Sequence, residues 1–216
     1  MAGAKPGDEK RVGVASGGSF VVRNRVKIGK VVVLLLLPIL LFVHHSWAED
    51  TYLDLVLDSV GYILLMCGVF GRLWCTLYIG GRKNSVLQRT GPYSLVRHPL
   101  YGSSLLLGLG VSALSENPVV LLVVLIYFAW QYVTTIRHEE SELAALFGDE
   151  YAEYRRNTPC FFPKFSHFDA GPEPTVGLRH LRAEALRCTV ALLAVPMFEL
   201  LTLLHVRGVL PFVKFP

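Results

Sequence analysis

The chain has 216 residues, enough for one domain, and carries 21 Lys and Arg against 17 Asp and Glu, a net charge of +4. With 52% hydrophobic residues and a mean hydropathy of +0.45, it lies outside the usual soluble range and points to an integral membrane protein. No basic stripe is interleaved with stacking aromatics, so the charge argues for membrane topology and against a nucleic-acid partner.

Residues 1–27 mix Gly and Ser with Lys5, Lys10, Arg11, Arg23, Arg25 and Lys27 and show no apolar period, the composition of a flexible basic tail. They do not read as a signal peptide, because the apolar run that follows starts late, is long and ends without a small-residue cleavage pattern. Four runs, 28–47, 56–79, 118–136 and 186–206, approach or reach the roughly 18–25 residues that cross a hydrocarbon core. A fifth, 100–114, is shorter, and its Gly102, Ser103, Ser104, Gly108 and Gly110 suit a helix packed closely inside a bundle. The expectation is an all-α, multi-span helical bundle of about five membrane helices with a cofactor site on its cytoplasmic side.

Pro38 predicts a kink in the first span, and Gly61, Gly68 and Gly71 mark a contact face on the second. His44 and His45 sit beside Trp47 at an interface, where anchoring is the simpler reading than a ligand role. The connection holding Glu49, Asp50 and Asp54 has no base, whereas the loop to Arg97 carries Arg82, Lys83 and Arg89 with no acid. That alternation predicts a cytoplasmic N-terminus and places both charge-rich loops in the cytoplasm. Cys67, Cys75, Cys160 and Cys188 have no metal-type spacing and read as free thiols packed as small apolar groups.

Ser115-Glu116-Asn117-Pro118 predicts a tight turn with Pro at the start of the next helix, closing the third and fourth spans into an antiparallel hairpin. Two polar segments about forty positions apart, 91–102 and 137–148, thereby become neighbours. The fourth span runs on as a helix to a cap at Gly148, and a second short helix then carries Tyr151 and Tyr154 on one face, stopping at Asn157-Thr158-Pro159. A linker rich in Gly and Pro over 164–177 leads to an amphipathic stretch, 178–187, of interfacial character, and then to the last span. The organisation predicted is a tail over 1–27, a core over 28–163, and a linker, interfacial helix and final span over 164–216.

The two polar segments supply Tyr93, Arg97, His98 and Tyr101 on one side and Arg137, His138, Glu139 and Glu140 on the other. Ionisable groups at a membrane edge are costly and usually functional. Carboxylates suit an amine, a ribose hydroxyl or an adenine donor, arginine suits a carboxylate, and tyrosines suit stacking or a cation. These residues alone leave two readings open: a polar cofactor site, or charges paired with one another and with headgroup phosphates. No Gly-rich loop stands in a strand–turn–helix context, so neither a dinucleotide fold nor a P-loop is indicated.

Gly91-Pro92-Tyr93, then Arg97-His98-Pro99-Leu100-Tyr101, then Arg137-His138-Glu139-Glu140 with Leu143, then Phe147-Gly148-Asp149-Glu150-Tyr151-Ala152-Glu153-Tyr154 resemble the isoprenylcysteine carboxyl methyltransferase family. Related membrane phospholipid methyltransferases share the pattern. The resemblance covers roughly residues 85–163 and implies a multi-span enzyme that uses S-adenosyl-L-methionine on a lipidic or small-molecule acceptor among membrane lipids. It implies cofactor contacts at Ser85, Val86, Leu87 and Gln88, matched by spacing, and at Tyr93, His98, Pro99, Leu100, Tyr101 and Glu139. Arg97 and Glu140 support that shell, and Arg137 and Glu140 are the candidates for a catalytic role. Thr135 stands where eukaryotic-type family members have an arginine for the substrate carboxylate. Arg137, two residues on, is rotated by about 200° on a helix and does not substitute simply. An NADPH-dependent sterol-type reductase and a non-catalytic membrane scaffold of the same fold are the alternatives.

Overall fold

The computed structural model describes residues 20–44, 52–80, 86–174, 176–207 and 213–214. The expected tail over 1–19, His45 and Trp47 lie outside the described residues. The elements are α1 (Phe20–Phe42), β1 (Val43–His44), α2 (Tyr52–Ile79), α3 (Pro92–Leu95), α4 (Pro99–Leu114) and α5 (Pro118–Asn157). A 3-10 turn (Phe165–His167), α6 (Leu178–Leu192), α7 (Ala194–Val206) and β2 (Val213–Lys214) follow.

Among the described residues, three helical stretches, Tyr52–Ile79, Pro118–Asn157 and Leu178–Leu204, are long and apolar enough to cross a membrane, with Pro99–Leu114 a shorter apolar helix. Helix α1 contains Pro38 and starts at Phe20, so helix extends into the segment expected to be a tail. The outward faces carry exposed Leu55, Ile63, Phe70, Leu122, Ile126 and Val190. Such a surface is stable only against hydrocarbon, which makes this a multi-span helical membrane protein.

Helices α2 and α4 form the most intimate pair, and their small residues explain why. A Cβ at Gly68 would lie 2.8 Å from the Leu107 amide nitrogen, and one at Gly110 would lie 2.7 Å from that of Leu65. With no lipid-phase hydrophobic force to drive helices together, this close approach of backbones supplies the packing energy. Leu65, Leu114 and Phe198 then form a buried cluster that ties α2 and α4 to α7. The β1–β2 pairing is parallel, Val43 with Val213 and His44 with Lys214, and brings the chain beyond α1 to the chain beyond α7.

The α4–α5 turn forms as its sequence predicts: Asn117 caps α5 by accepting from the Val119 amide at 3.0 Å, with Pro118 in the first turn. At Gly148 the backbone leaves the helical region (φ 51°, ψ −122°) and α5 changes direction into its last turns. Leu193 keeps helical angles (φ −65°, ψ −14°), so α6 runs into α7 without reversal. Glu184 is buried in an ion pair with Arg72 of α2, which joins α6 to the bundle.

Candidate functional site

The segment 91–98 is pinned from several sides. The Gly91 amide donates to the Asp169 carbonyl at 2.7 Å, the Asp169 amide donates to Ser94 Oγ at 3.0 Å, and the Lys164 amide donates to the Leu95 carbonyl at 3.0 Å. The Arg97 amide donates to the Pro159 carbonyl at 2.9 Å. The Tyr154 hydroxyl, carried by the turns after Gly148, donates to the Tyr93 carbonyl at 2.7 Å. These bonds satisfy backbone groups that would otherwise be buried unpaired, and they turn a polar loop into a rigid platform.

On that platform Glu140 is the hub. Its Oε1 lies 3.2 Å from His98 Nε2 and 3.1 Å from Arg97 Nη1, and its Oε2 lies 3.8 Å from Arg155 Nη2. The Arg97 contact is an ion pair without hydrogen-bond geometry, and Arg97 Nε and Nη1 are buried donors with no acceptor. Burial pushes the His98 imidazole below its ordinary value, against the raising pull of the Glu140 hydrogen bond and of the Glu140 and Glu139 charges. Burial also pushes the Tyr151 hydroxyl up to about 12, with the Glu140 charge adding to the shift. The rings of His98 and Tyr101 meet edge-on at 6.0 Å, and Tyr101 meets Tyr132 at 6.4 Å.

A cavity of about 770 Å³ opens above these residues and runs between the helices. Its polar head is lined by Val86, Leu87, Gln88, Tyr93, Arg97, His98, Tyr101 and Glu139, and its apolar sleeve by Leu36, Leu107, Val111, Val124, Phe128 and Phe198. The volume falls within the about 300–1,000 Å³ of ligand sites. Of the residues implied as cofactor contacts, Val86, Leu87, Gln88, Tyr93, His98, Pro99, Leu100, Tyr101 and Glu139 all line the cavity, whereas Ser85 lies outside the described residues. Glu140 stands behind the wall and meets the cavity through Arg97 and His98. Arg137 is exposed and does not line the cavity. Thr135 is fully buried, leaving that point of α5 without a cation.

Arg72 escapes a reading of 56–79 as one apolar run, yet it lines the cavity. Its Nη1 donates to Ser104 Oγ of α4, and its Nε donates to Glu184 Oε1 of α6. Arg187 Nη1 holds the other Glu184 oxygen at 2.8 Å. Ser104 lies one turn before Leu107, so this guanidinium marks the level at which polar head gives way to apolar sleeve. The available signal was a lone arginine inside a spanning helix, which by default is functional. Its partner, 112 positions away, has no local signature. Ala191, Ala194 and Met197 add the last wall.

A multi-span helical bundle with a polar-headed, apolar-sleeved cavity defines a class of integral membrane proteins with room inside the bundle for an amphiphilic molecule. Residues 53–145 match the family model described as the isoprenylcysteine carboxyl methyltransferase (ICMT) family. The chain is 45% identical over 148 residues to the cobalt-zinc-cadmium resistance protein CzcN of Cupriavidus metallidurans, covering 68% of each chain. It is 40% identical over 150 residues to the nickel-cobalt-cadmium resistance protein NccN of Alcaligenes xylosoxydans xylosoxydans, covering 69% of this chain and 70% of that one. It is 30% identical over 138 residues to a protein-S-isoprenylcysteine O-methyltransferase of Xenopus laevis, covering 55% of this chain and 48% of that one. No solved structure matches the chain. The chain belongs to the isoprenylcysteine carboxyl methyltransferase family.

Proposed function

We propose that this protein is an S-adenosyl-L-methionine-dependent methyltransferase that methylates a lipidic acceptor bearing a carboxylate, the chemical class of a prenylcysteine. One observation carries the reading: a single cavity joins the Gln88–Tyr93–His98–Tyr101–Glu139 head to an apolar sleeve, with Arg72 at their junction. The head fits the cofactor. Glu139 suits its hydroxyl or ammonium donors, and the faces of Tyr93 and Tyr101 suit adenine or a sulfonium cation. The cofactor supplies an activated methyl group. The chain's own residues orient the two partners, exclude water and need to provide little acid–base help to an already ionised carboxylate. Arg72, braced by Ser104 and Glu184, orients the acceptor carboxylate, and the sleeve takes the hydrocarbon tail.

The base-rich loop ending at Arg97 supports a cytoplasmic head and N-terminus. In this reading 28–163 form the methyltransferase core and 164–216 close it. Arg97, the arginine of the polar head, already faces the Glu140 carboxylate, which counts against a site for the 2′-phosphate of NADPH. The test is calorimetric titration of the purified protein with S-adenosyl-L-methionine and with NADPH, followed by transfer of labelled methyl to N-acetyl-S-farnesyl-cysteine. Saturable NADPH binding with no S-adenosyl-L-methionine binding would overturn the reading. In this reading the activity serves tolerance of divalent metals, which the relatives named for cobalt, zinc, cadmium and nickel resistance support. A strain carrying only the Glu139→Gln protein is expected to lose that tolerance.

A further inference from the structure

Cys160 is a free thiol beside the candidate site and has no part in the reading above. It lies in the loop after α5, half-buried, with its Sγ 3.5 Å from the Tyr132 hydroxyl. One ligand-type atom from each of His98, Glu140 and Cys160 lies within 4.8 Å of the other two. We propose that these three side chains, brought together from the start of α4, the middle of α5 and the loop beyond it, form a binding site for a divalent transition-metal ion.

The three residues stand 42 and 20 positions apart in sequence, which no ligand-spacing motif would detect; the α4–α5 hairpin and the bend at Gly148 bring them into one place. Their positions are fixed by bonds that do not involve the site. The Arg97 amide holds the Pro159 carbonyl, one residue on each side of the His98–Cys160 approach, and the Thr158 amide holds the Tyr154 carbonyl. A tetrahedral ion with bonds of about 2.0–2.3 Å needs donor atoms about 3.3–3.8 Å apart. His98 Nε2 and Glu140 Oε1 are already 3.2 Å apart, so closing the third corner asks about 1 Å of the Cys160 loop.

The donor set chooses the ion. One imidazole, one thiolate and one carboxylate suit zinc, cobalt or cadmium, and the sulfur disfavours magnesium and calcium. Binding breaks the S–H bond, forms a sulfur–metal bond and releases the proton to solvent. The thiolate and the carboxylate then set two negative charges against those of the ion, with the Arg97 guanidinium beside Glu140 as the remaining buried cation. The buried Arg97 Nε and Nη1 donors, which lack an acceptor, lie beside this anion pair and would support it from the outer shell. The fourth position falls to the Tyr132 hydroxyl or to water.

The site adjoins the cofactor head and shares His98 with it. Neither Glu140 nor Cys160 lines the cavity, and His98, which does, turns its Nε2 onto Glu140. An ion there would fix the His98 ring from behind the wall.

The test uses the full chain, purified in detergent with a reductant, stripped by chelator and titrated with cobalt(II). Wild type is expected to show intense visible d–d bands and a thiolate-to-cobalt charge-transfer band at one equivalent, both displaced by zinc. Cys160→Ser should lose the charge-transfer band, Glu140→Gln should bind at least tenfold more weakly, and Cys67→Ser should match wild type. Absence of the charge-transfer band in wild type, or its persistence in Cys160→Ser, would overturn the site. A measurement on wild type alone guards against misfolded variants. Zinc should slow maleimide labelling of Cys160, read by mass spectrometry, at least tenfold, and an unchanged rate refutes the proposal. Neither readout depends on methyl transfer.

Discussion

The polar head of the cavity and its C-terminal wall are built by opposite means. The head gathers short stretches, 86–101 and 139–154, whose residues are held by several hydrogen bonds between segments, such as the Tyr154 hydroxyl to the Tyr93 carbonyl and the Asp169 amide to Ser94 Oγ. The wall is one helix pair, α6 and α7, beyond the residues 53–145 that match the family. It is locked to α2 by one ion pair and by the Leu65–Leu114–Phe198 cluster. A site made of many weak, redundant contacts tolerates the loss of one for stability and is sensitive for function. A wall held by one buried ion pair and one apolar cluster has the reverse profile.

Glu184 tests the second half of that statement and should give the largest effect. Its side chain is 5% exposed, and its removal leaves Arg72, itself 19% exposed, without its carboxylate. Breaking such a pair from one side costs about 3–5 kcal/mol. Glu184→Ala should therefore lower thermal stability sharply. Replacing both partners, as in Arg72→Leu with Glu184→Leu, should restore most of it, since an apolar pair of similar volume avoids the desolvation cost. The double variant should nonetheless fail to methylate, because no guanidinium remains at the junction. Unfolding curves of the two single variants and the double variant, with methyl transfer on each, would decide this.

Glu139 tests the first half. A hydrogen bond to a charged group contributes about 1.5–3 kcal/mol, so Glu139→Gln should weaken S-adenosyl-L-methionine binding by roughly 10- to 150-fold while the unfolding midpoint stays near wild type. Calorimetry and a thermal scan on the same preparation separate the two. The next effect in size belongs to neither region but to the α2–α4 seam that supports both. Gly110→Ala places a Cβ 2.7 Å from the Leu65 amide nitrogen, and overpacking of this kind costs about 1–3 kcal/mol. Stability should fall, and activity should fall with it, because α4 carries Tyr101 and Ser104.

How far each region was legible follows from the same contrast. The hairpin turn at Asn117-Pro118, the bend at Gly148 and the facing of 91–102 on 137–148 have local signals, and the structure contains all three. Val86, Leu87 and Gln88, implied by spacing to the motif, do line the cavity. The Arg72–Glu184 pair was not legible, because a buried ion pair between helices 112 positions apart leaves no periodic trace in either. On α6, Arg179, Arg182 and Arg187 are exposed, whereas Glu184 among them is buried against Arg72. Residue type at a helix position does not report which way that position faces once the helix belongs to a bundle.

Arg137 carries that point to its smallest predicted effect. It sits in the Arg-His-Glu-Glu sequence beside Glu139 and Glu140, and by adjacency alone it belongs with them. On α5 a shift of two positions turns a side chain by about 200°, so the neighbour of a cavity-lining Glu139 faces away from it. Arg137 is exposed, whereas Glu140 Oε1 lies against both His98 and Arg97. Surface charges contribute about 0–1 kcal/mol, and Arg137→Ala should change cofactor affinity and methyl transfer less than about fivefold. Glu140→Gln, which weakens the carboxylate between Arg97 and His98, should cost more in the same assay. If the order of the two variants were reversed, α5 would have to be rotated in the working protein. Arg137 would then face the acceptor, and the place left without a cation at Thr135 would be filled from two residues along the helix.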